Sequence, residues 1–202
     1  MSEPTTGPSG GRERIRRAAY DLFSREGTRA VGVDAIIARA GVAKMTLYRN
    51  FASKDDLILD FLEQREQTWT KDWLQAEVRE RASTPRGQLL AIFDTFSDWF
   101  VQPDFEGCAF LTIMVEINDP TSRIHQATVR HLANIRIFLS ELAEAAGAAD
   151  PDAFARKWHI LMKGSIMAAH EGDTDAGRRA RELGELFLQS QGILADEDRS
   201  VW

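Results

Sequence analysis

The chain has 202 residues, 44% hydrophobic and 28% charged, enough for one substantial core or for a small domain beside a larger one. No run of 18 apolar residues marks a membrane span, and the single cysteine, Cys108, excludes an internal disulfide and fits a reducing cytoplasm. The net charge of −6 argues against nucleic acid only as an average. Residues 1–54 hold ten Lys/Arg and five Asp/Glu, net +5, and residues 55–202 hold the other 15 basic and 26 acidic residues, net −11.

Residues 1–11 are polar, rich in Gly, Pro, Ser and Thr, and without an apolar signal-peptide core, so they are expected to form a disordered tail. The first helix is predicted from about Arg12 to Glu26. Ile15, Ala18, Ala19, Leu22 and Phe23 make its apolar stripe, and Gly27 ends it. Arg12, Arg16 and Arg17 lie off that stripe and are open to two readings, phosphate neighbours or a solvated face. Val33, Ile36, Ile37 and Ala40 fall at i, i+3, i+4 and i+7 and predict a short helix. Gly41 supplies a left-handed exit. A second short helix, Lys44 to Asn50, turns Leu47 inward, with Phe51 beyond it on the same side. Met45, Thr46, Arg49 and Asn50 are left on the opposite face, bordered by Lys44 and Tyr48. Two short helices around a tight glycine turn, the second presenting cationic, hydroxyl and amide groups, form a helix-turn-helix.

Ser53-Lys54-Asp55-Asp56 is a capped, acidic helix start, and the helix is predicted to reach about Arg81 with Leu57, Phe61, Leu62, Trp69 and Trp73 on buried sides. Thr84-Pro85 starts a helix that ends near Gln102-Pro103. Gly107 to Asn118 is a short, nearly all-apolar helix and must be central. Thr121 or Ser122 caps the next, which runs to about Ala146, and Asp150-Pro151 opens another through His170. A last helix spans roughly Ala176 to Gln191, and a flexible acidic tail is expected over 193–202. There is no credible strand. The predicted fold is all-α, about nine helices, with a head over 12–54 and a helical body over 55–192.

Gly27, Ala40-Gly41-Val42, Thr46-Leu47-Tyr48-Arg49-Asn50-Phe51 and Ser53-Lys54-Asp55-Asp56-Leu57, behind an amphipathic first helix, resemble the TetR family of helix-turn-helix transcriptional repressors. The motif covers only about residues 12–60. Beyond it the likeness rests on helix count, order and length. The resemblance implies a homodimer with an N-terminal DNA-binding domain and a helical ligand-binding and dimerisation domain. It would bind a palindromic operator in double-stranded DNA and be released by a small molecule. By position, Lys44, Met45 and Thr46 would face base edges, and Tyr48, Asn50 and Lys54 would grip phosphates with Arg49 beside them. The chemistry agrees, since Lys donates to guanine acceptors and Met offers apolar contact to a thymine methyl. Val33 stands where many members place a capping Thr or Ser, and Ala43 where a capping Ser is frequent.

Trp69, Trp73, Phe93, Phe96, Trp99, Phe110, Met114, Trp158 and Met162 are candidates for an effector pocket, which would favour an apolar or aromatic ligand; helical spacing equally allows them to be core. Gly177, Ala180 and Gly184, flanked by Leu183 and Phe187, form a small-residue stripe, and Gly164 and Ala168 a second. Both are candidates for the dimer interface, with packing inside the monomer as the alternative. His125, His131, His159 and His170 lack the i, i+4 spacing of a helical metal site, so no metal or cofactor is expected. Cys108 at a helix start is either a redox-sensing thiol or a buried small hydrophobe. No nucleophile elbow, phosphate loop or paired carboxylates suggests an enzyme. The better rival is a dimeric interaction protein whose helix-turn-helix has lost DNA binding.

Overall fold

The computed structural model describes residues 9–194, so positions 1–8 and 195–202 of the expected tails lie outside the described residues. Ser9–Gly11 belong to the first helix and Ile193 is buried, which corrects the expectation at those positions. Among the described residues all regular structure is helical. In order these are α1 (Ser9–Ala30), α2 (Val33–Ala40), α3 (Lys44–Asn50), α4 (Lys54–Arg65), a π-helical stretch (Glu66–Gln75), α5 (Ala76–Arg81), α6 (Pro85–Phe100), α7 (Ala109–Glu116), α8 (Arg123–Ala145), α9 (Pro151–His170) and α10 (Ala176–Ser190). The rod predicted from Ser53 to Arg81 is thus helical throughout, but its middle ten residues follow the wider i→i+5 pattern.

The capping residues behave as their chemistry demands. The Ser53 hydroxyl accepts from the Asp56 N–H, Thr84 from Gly87 and Asp150 from Ala153, and each starts its helix where predicted. Gly27, with φ 77° and ψ 164°, breaks α1 where the sequence ends it, and the chain resumes a short helical turn to Ala30. The cap of α2 corrects an expectation. Gly32 is the N-cap residue and Val33 the first helical one, so the position without a capping side chain is Gly32. The apolar stripe of α2 needs Val33 to turn inward, which places it inside the first turn. Ala43 caps α3 with no side-chain hydrogen bond.

The described residues form two compact units. The first comprises residues up to Glu66 together with Cys108–His131, and the second Gln67–Gly107 with the chain from Leu132 onward. In the first, α2, α4 and α7 all pack on α1, with Ile15, Phe23, Ile36, Leu47, Phe61 and Leu62 in the core. In the second, α10 packs against α6 and α9 around Phe93, Phe96, Phe154 and Trp158. No described helix is long and apolar enough to cross a membrane.

Candidate functional site

The turn between α2 and α3 is set by Gly41, at φ 60° and ψ 44°, a left-handed conformation that only glycine adopts without Cβ strain. Its N–H donates to the Ala38 carbonyl at 3.3 Å, and that of Val42 to Ile37 at 3.4 Å. Helix α3 is fixed by Leu47, which is fully buried, and by Phe51 just past its end. The opposite face is therefore open: Met45 is 65% and Tyr48 45% exposed, and Lys44 and Arg49 are exposed as well. Lys44 reaches only the highly exposed Asp34, at 3.4 Å. Thr46 and Asn50 are half-buried. The Asn50 amide donates to the Thr46 carbonyl at 2.8 Å, so its nitrogen is committed to its own helix. Lys54, at the start of α4, lines a cleft of about 420 Å³ with Thr28, Asp55, Glu116 and Asp119. All seven predicted DNA-contact residues thus lie on α3 or at the start of α4, with Met45, Tyr48, Lys44 and Arg49 the most accessible.

The arginines of α1 divide into more roles than the sequence offered. Arg12 donates to the Asn50 carbonyl at the C-terminus of α3, where a cation complements the helix dipole, and its guanidinium lies 4.6 Å from the Phe51 ring centroid. Arg14 donates to the Gly41 carbonyl at 3.3 Å. Arg16 binds Asp60 of α4 at 2.9 Å. These side chains brace the helix-turn-helix from behind, and of the three arginines weighed from the sequence Arg17 fits the solvated-face reading.

A second feature escaped sequence reasoning. Glu116, at the end of α7, accepts from both the backbone N–H (3.0 Å) and the hydroxyl (2.6 Å) of buried Thr28, beside the break at Gly27. The available signal was a single carboxylate near the end of an otherwise uncharged, mostly apolar stretch, Cys108 to Ile117.

The nine effector-pocket candidates separate. Trp69, Trp73 and Trp99 are mutually in contact, with ring centroids 5.3–5.6 Å apart, and each is half-buried. Trp73 and Trp99 line a cleft of about 280 Å³ with Glu77, Arg81, Thr95, Asp98 and Gln102. Phe93, Phe96, Trp158 and Met162 are core of the second unit, as the alternative reading had it. Phe110 and Met114 belong to the first unit, where Phe110 stacks on the His131 ring.

The dimer candidates divide, and four of them, Gly177, Ala180, Gly184 and Phe187, pack within the second unit. Gly177 and Gly184 are buried inside the second unit, because α10 approaches so closely that a side chain would collide. A Cβ on Gly184 would meet Trp158 at 2.9 Å and Phe93 at 3.0 Å, and one on Gly177 the Phe93 carbonyl at 2.9 Å. Ala180 is buried with them, and Phe187 stacks on Phe154 at 4.9 Å. The outward faces carry Leu183 (54% exposed) and Leu186 (62%) on α10, and Ile160 (66%) and Met167 (51%) on α9, with Gly164 exposed between the latter and Ala168 half-buried.

His125 bonds the Ile117 carbonyl, and His131 pairs with Glu66. His170 lies against Phe105. His159 is buried, which, with Lys163 and Arg136 nearby, pushes its pKa down to about 3. Among the described residues no group of three His, Cys, Asp or Glu is placed to hold a metal. Cys108 is a buried free thiol at the N-cap of α7.

Residues 15–61 match the family described as bacterial regulatory proteins, tetR family, and residues 85–183 match a tetracyclin repressor-like C-terminal domain. The chain is 32% identical to SCO4454, a TetR-family transcriptional regulator from Streptomyces coelicolor, over 91% of this chain and 96% of that one, with a TM-score of 0.80. A putative TetR transcriptional regulator from Streptomyces avermitilis is 28% identical over 94% and 100%, with a TM-score of 0.81. The HTH-type transcriptional activator FasR of Mycolicibacterium smegmatis is 34% identical over 115 residues, half the length of each protein. With its family-specific head, its helical body and a 32% identical relative matched over 91% of this chain, the protein belongs to the TetR family of DNA-binding transcriptional regulators.

Proposed function

We propose that the chain is a repressor that binds a palindromic operator as a homodimer and leaves it when a small apolar or aromatic effector binds the helical body. The observation that carries the reading is the exposed face of α3, where Met45 and Tyr48 stand open to solvent over a fully buried Leu47. In this reading residues 12–54 are the DNA-binding domain and 55–192 the regulatory and dimerisation domain of a cytoplasmic protein. Lys44, Met45 and Thr46 meet base edges, while Tyr48, Arg49, Asn50 and Lys54 meet backbone.

The dimer surface is best supplied by the outward faces of α9 and α10, with Ile160, Gly164, Met167, Ala168, Leu183 and Leu186. Four large apolar side chains more than half exposed on two adjacent helices form the kind of patch that a monomer rarely leaves open. In this reading effector and DNA are coupled through the helical run of the chain that carries both Lys54 and Trp73. Two recognition helices must sit about 34–36 Å apart to enter successive major grooves, so a few ångströms of displacement ends binding. A tenfold loss of operator affinity requires about 1.4 kcal/mol of effector preference for the DNA-incompetent form. The likeness to an activator supports a second reading, in which the bound protein recruits rather than blocks polymerase. Transcription from the selected operator, measured with and without purified protein, separates the two. Repression is expected, and stimulation would replace the first reading by the second.

A further inference from the structure

The cleft that the π-helical stretch and α5 form with α6 has a chemistry that the general reading leaves unspecified. Three tryptophans in mutual contact are each left partly open, and two of them, Trp73 and Trp99, form one wall. The half-buried faces of Trp73 and Trp99 offer the cleft a stacking surface for a flat or apolar group. Glu77 and Asp98 stand at the rim with Arg81 between them, 3.2 and 2.8 Å away. Two carboxylates against one guanidinium leave a single uncompensated negative charge. Thr95, only 1% exposed, lines the same cleft, and its hydroxyl has no hydrogen-bond partner. A buried hydroxyl without a partner is costly, and a ligand that hydrogen-bonds to it removes that cost.

Indole faces carry negative potential and attract cations, most strongly where water is excluded. An anion entering here would meet the uncompensated carboxylate, and a neutral apolar molecule would leave both that charge and the Thr95 hydroxyl unanswered. We infer that the cleft lined by Trp73, Trp99, Thr95, Glu77 and Asp98 binds an organic monocation with an aromatic or apolar body and an N–H donor. The body stacks on Trp73 and Trp99, the ammonium balances the rim, and its N–H reaches the Thr95 hydroxyl. This rests on the reading of the helical body as the effector-binding part and names the class of effector.

The test is isothermal titration of the full-length protein, without DNA, with three probes of one shape: 2-phenylethylammonium, neutral 2-phenylethanol and anionic 3-phenylpropanoate. The cation is expected to bind at least tenfold more tightly than either of the others. In the double variant Glu77→Gln/Asp98→Asn the cleft becomes net positive, and the preference is expected to pass from the cation to the anion. Thr95→Val is expected to weaken the cation severalfold while leaving the melting temperature equal or higher, which a merely structural hydroxyl would not do. Equal binding of the alcohol, absence of saturable cation binding, or unchanged selectivity in the double variant would overturn the assignment. Operator binding by the same preparations is measured separately, so a failed head and a failed cleft are told apart.

Discussion

The Glu116 carboxylate receives both hydrogen bonds that Thr28 can donate, from its N–H at 3.0 Å and its hydroxyl at 2.6 Å, and this joins the end of α7 to α1 next to the break at Gly27. Thr28 is 1% exposed, so nothing else replaces the carboxylate if it is removed. Glu116→Ala is expected to cost roughly 1–3 kcal/mol, the usual penalty for stranding buried donors. Thr28→Val removes only the hydroxyl and is expected to cost less. Urea unfolding of both variants and of the double variant measures the pair. A coupling energy near zero would show that the two residues do not act together.

His159 makes the fold sensitive to acid. Its folded-state pKa, about 3, lies below the ordinary 6.5, so the unfolded chain binds more protons between those values. Stability is fully present above about pH 6.5 and falls as the pH drops, by up to about 1.4 kcal/mol per unit. His159→Phe is expected to flatten the acid limb of the stability curve between pH 6.5 and 4 without changing its neutral plateau by a comparable amount. An acid limb identical to wild type would assign the effect to other groups.

The two faces of α10 make opposite predictions. Leu183→Glu with Leu186→Glu is expected to leave the fold intact and yield monomers by light scattering. Gly184→Ala, although it replaces a helix-interior glycine, is expected to destabilise by roughly 1–3 kcal/mol, because its methyl group would meet Trp158 at 2.9 Å. A dimer that survives both Leu substitutions would place the interface elsewhere.

These contrasts show what was legible in the sequence. The helix-turn-helix could be read because its determinants are local: a stripe at i, i+3, i+4, i+7, a glycine at the turn and an inward Leu47 all lie within 20 residues. The caps at Ser53, Thr84 and Asp150 are local in the same way. The stripe of Gly177, Ala180 and Gly184 was found correctly as a face, but periodicity says which residues share a face and not which helix covers it. Here α6 covers it within the same chain, together with Trp158 of α9 at Gly184. The Glu116–Thr28 pair spans 88 residues and the Arg12–Asn50 bond 38, beyond any periodic signal. The π-helical stretch escapes a periodicity reading because Trp69 and Trp73, four residues apart, fit a helix of either pitch.

The base-reading and phosphate-gripping roles can be separated by salt. Lys54→Ala is expected to weaken all DNA sequences alike and to flatten the salt dependence by about one phosphate contact. Lys44→Ala is expected to lose roughly 1–3 kcal/mol of discrimination at particular base pairs. Uniform loss in Lys44→Ala would move that residue to the backbone-contact group.

The measurement closest to the central claim is selection of genomic fragments bound by the purified full-length protein, followed by affinity for the selected site in wild type and in a Met45→Ala/Tyr48→Ala variant. Both substitutions lie on the exposed face of α3 and leave the buried Leu47 in place. The expected result is a palindromic site bound by the wild type and lost by the variant, at unchanged thermal stability. Wild-type affinity in the variant, or selected fragments that share no sequence, would contradict the assignment of α3 as the helix that reads DNA.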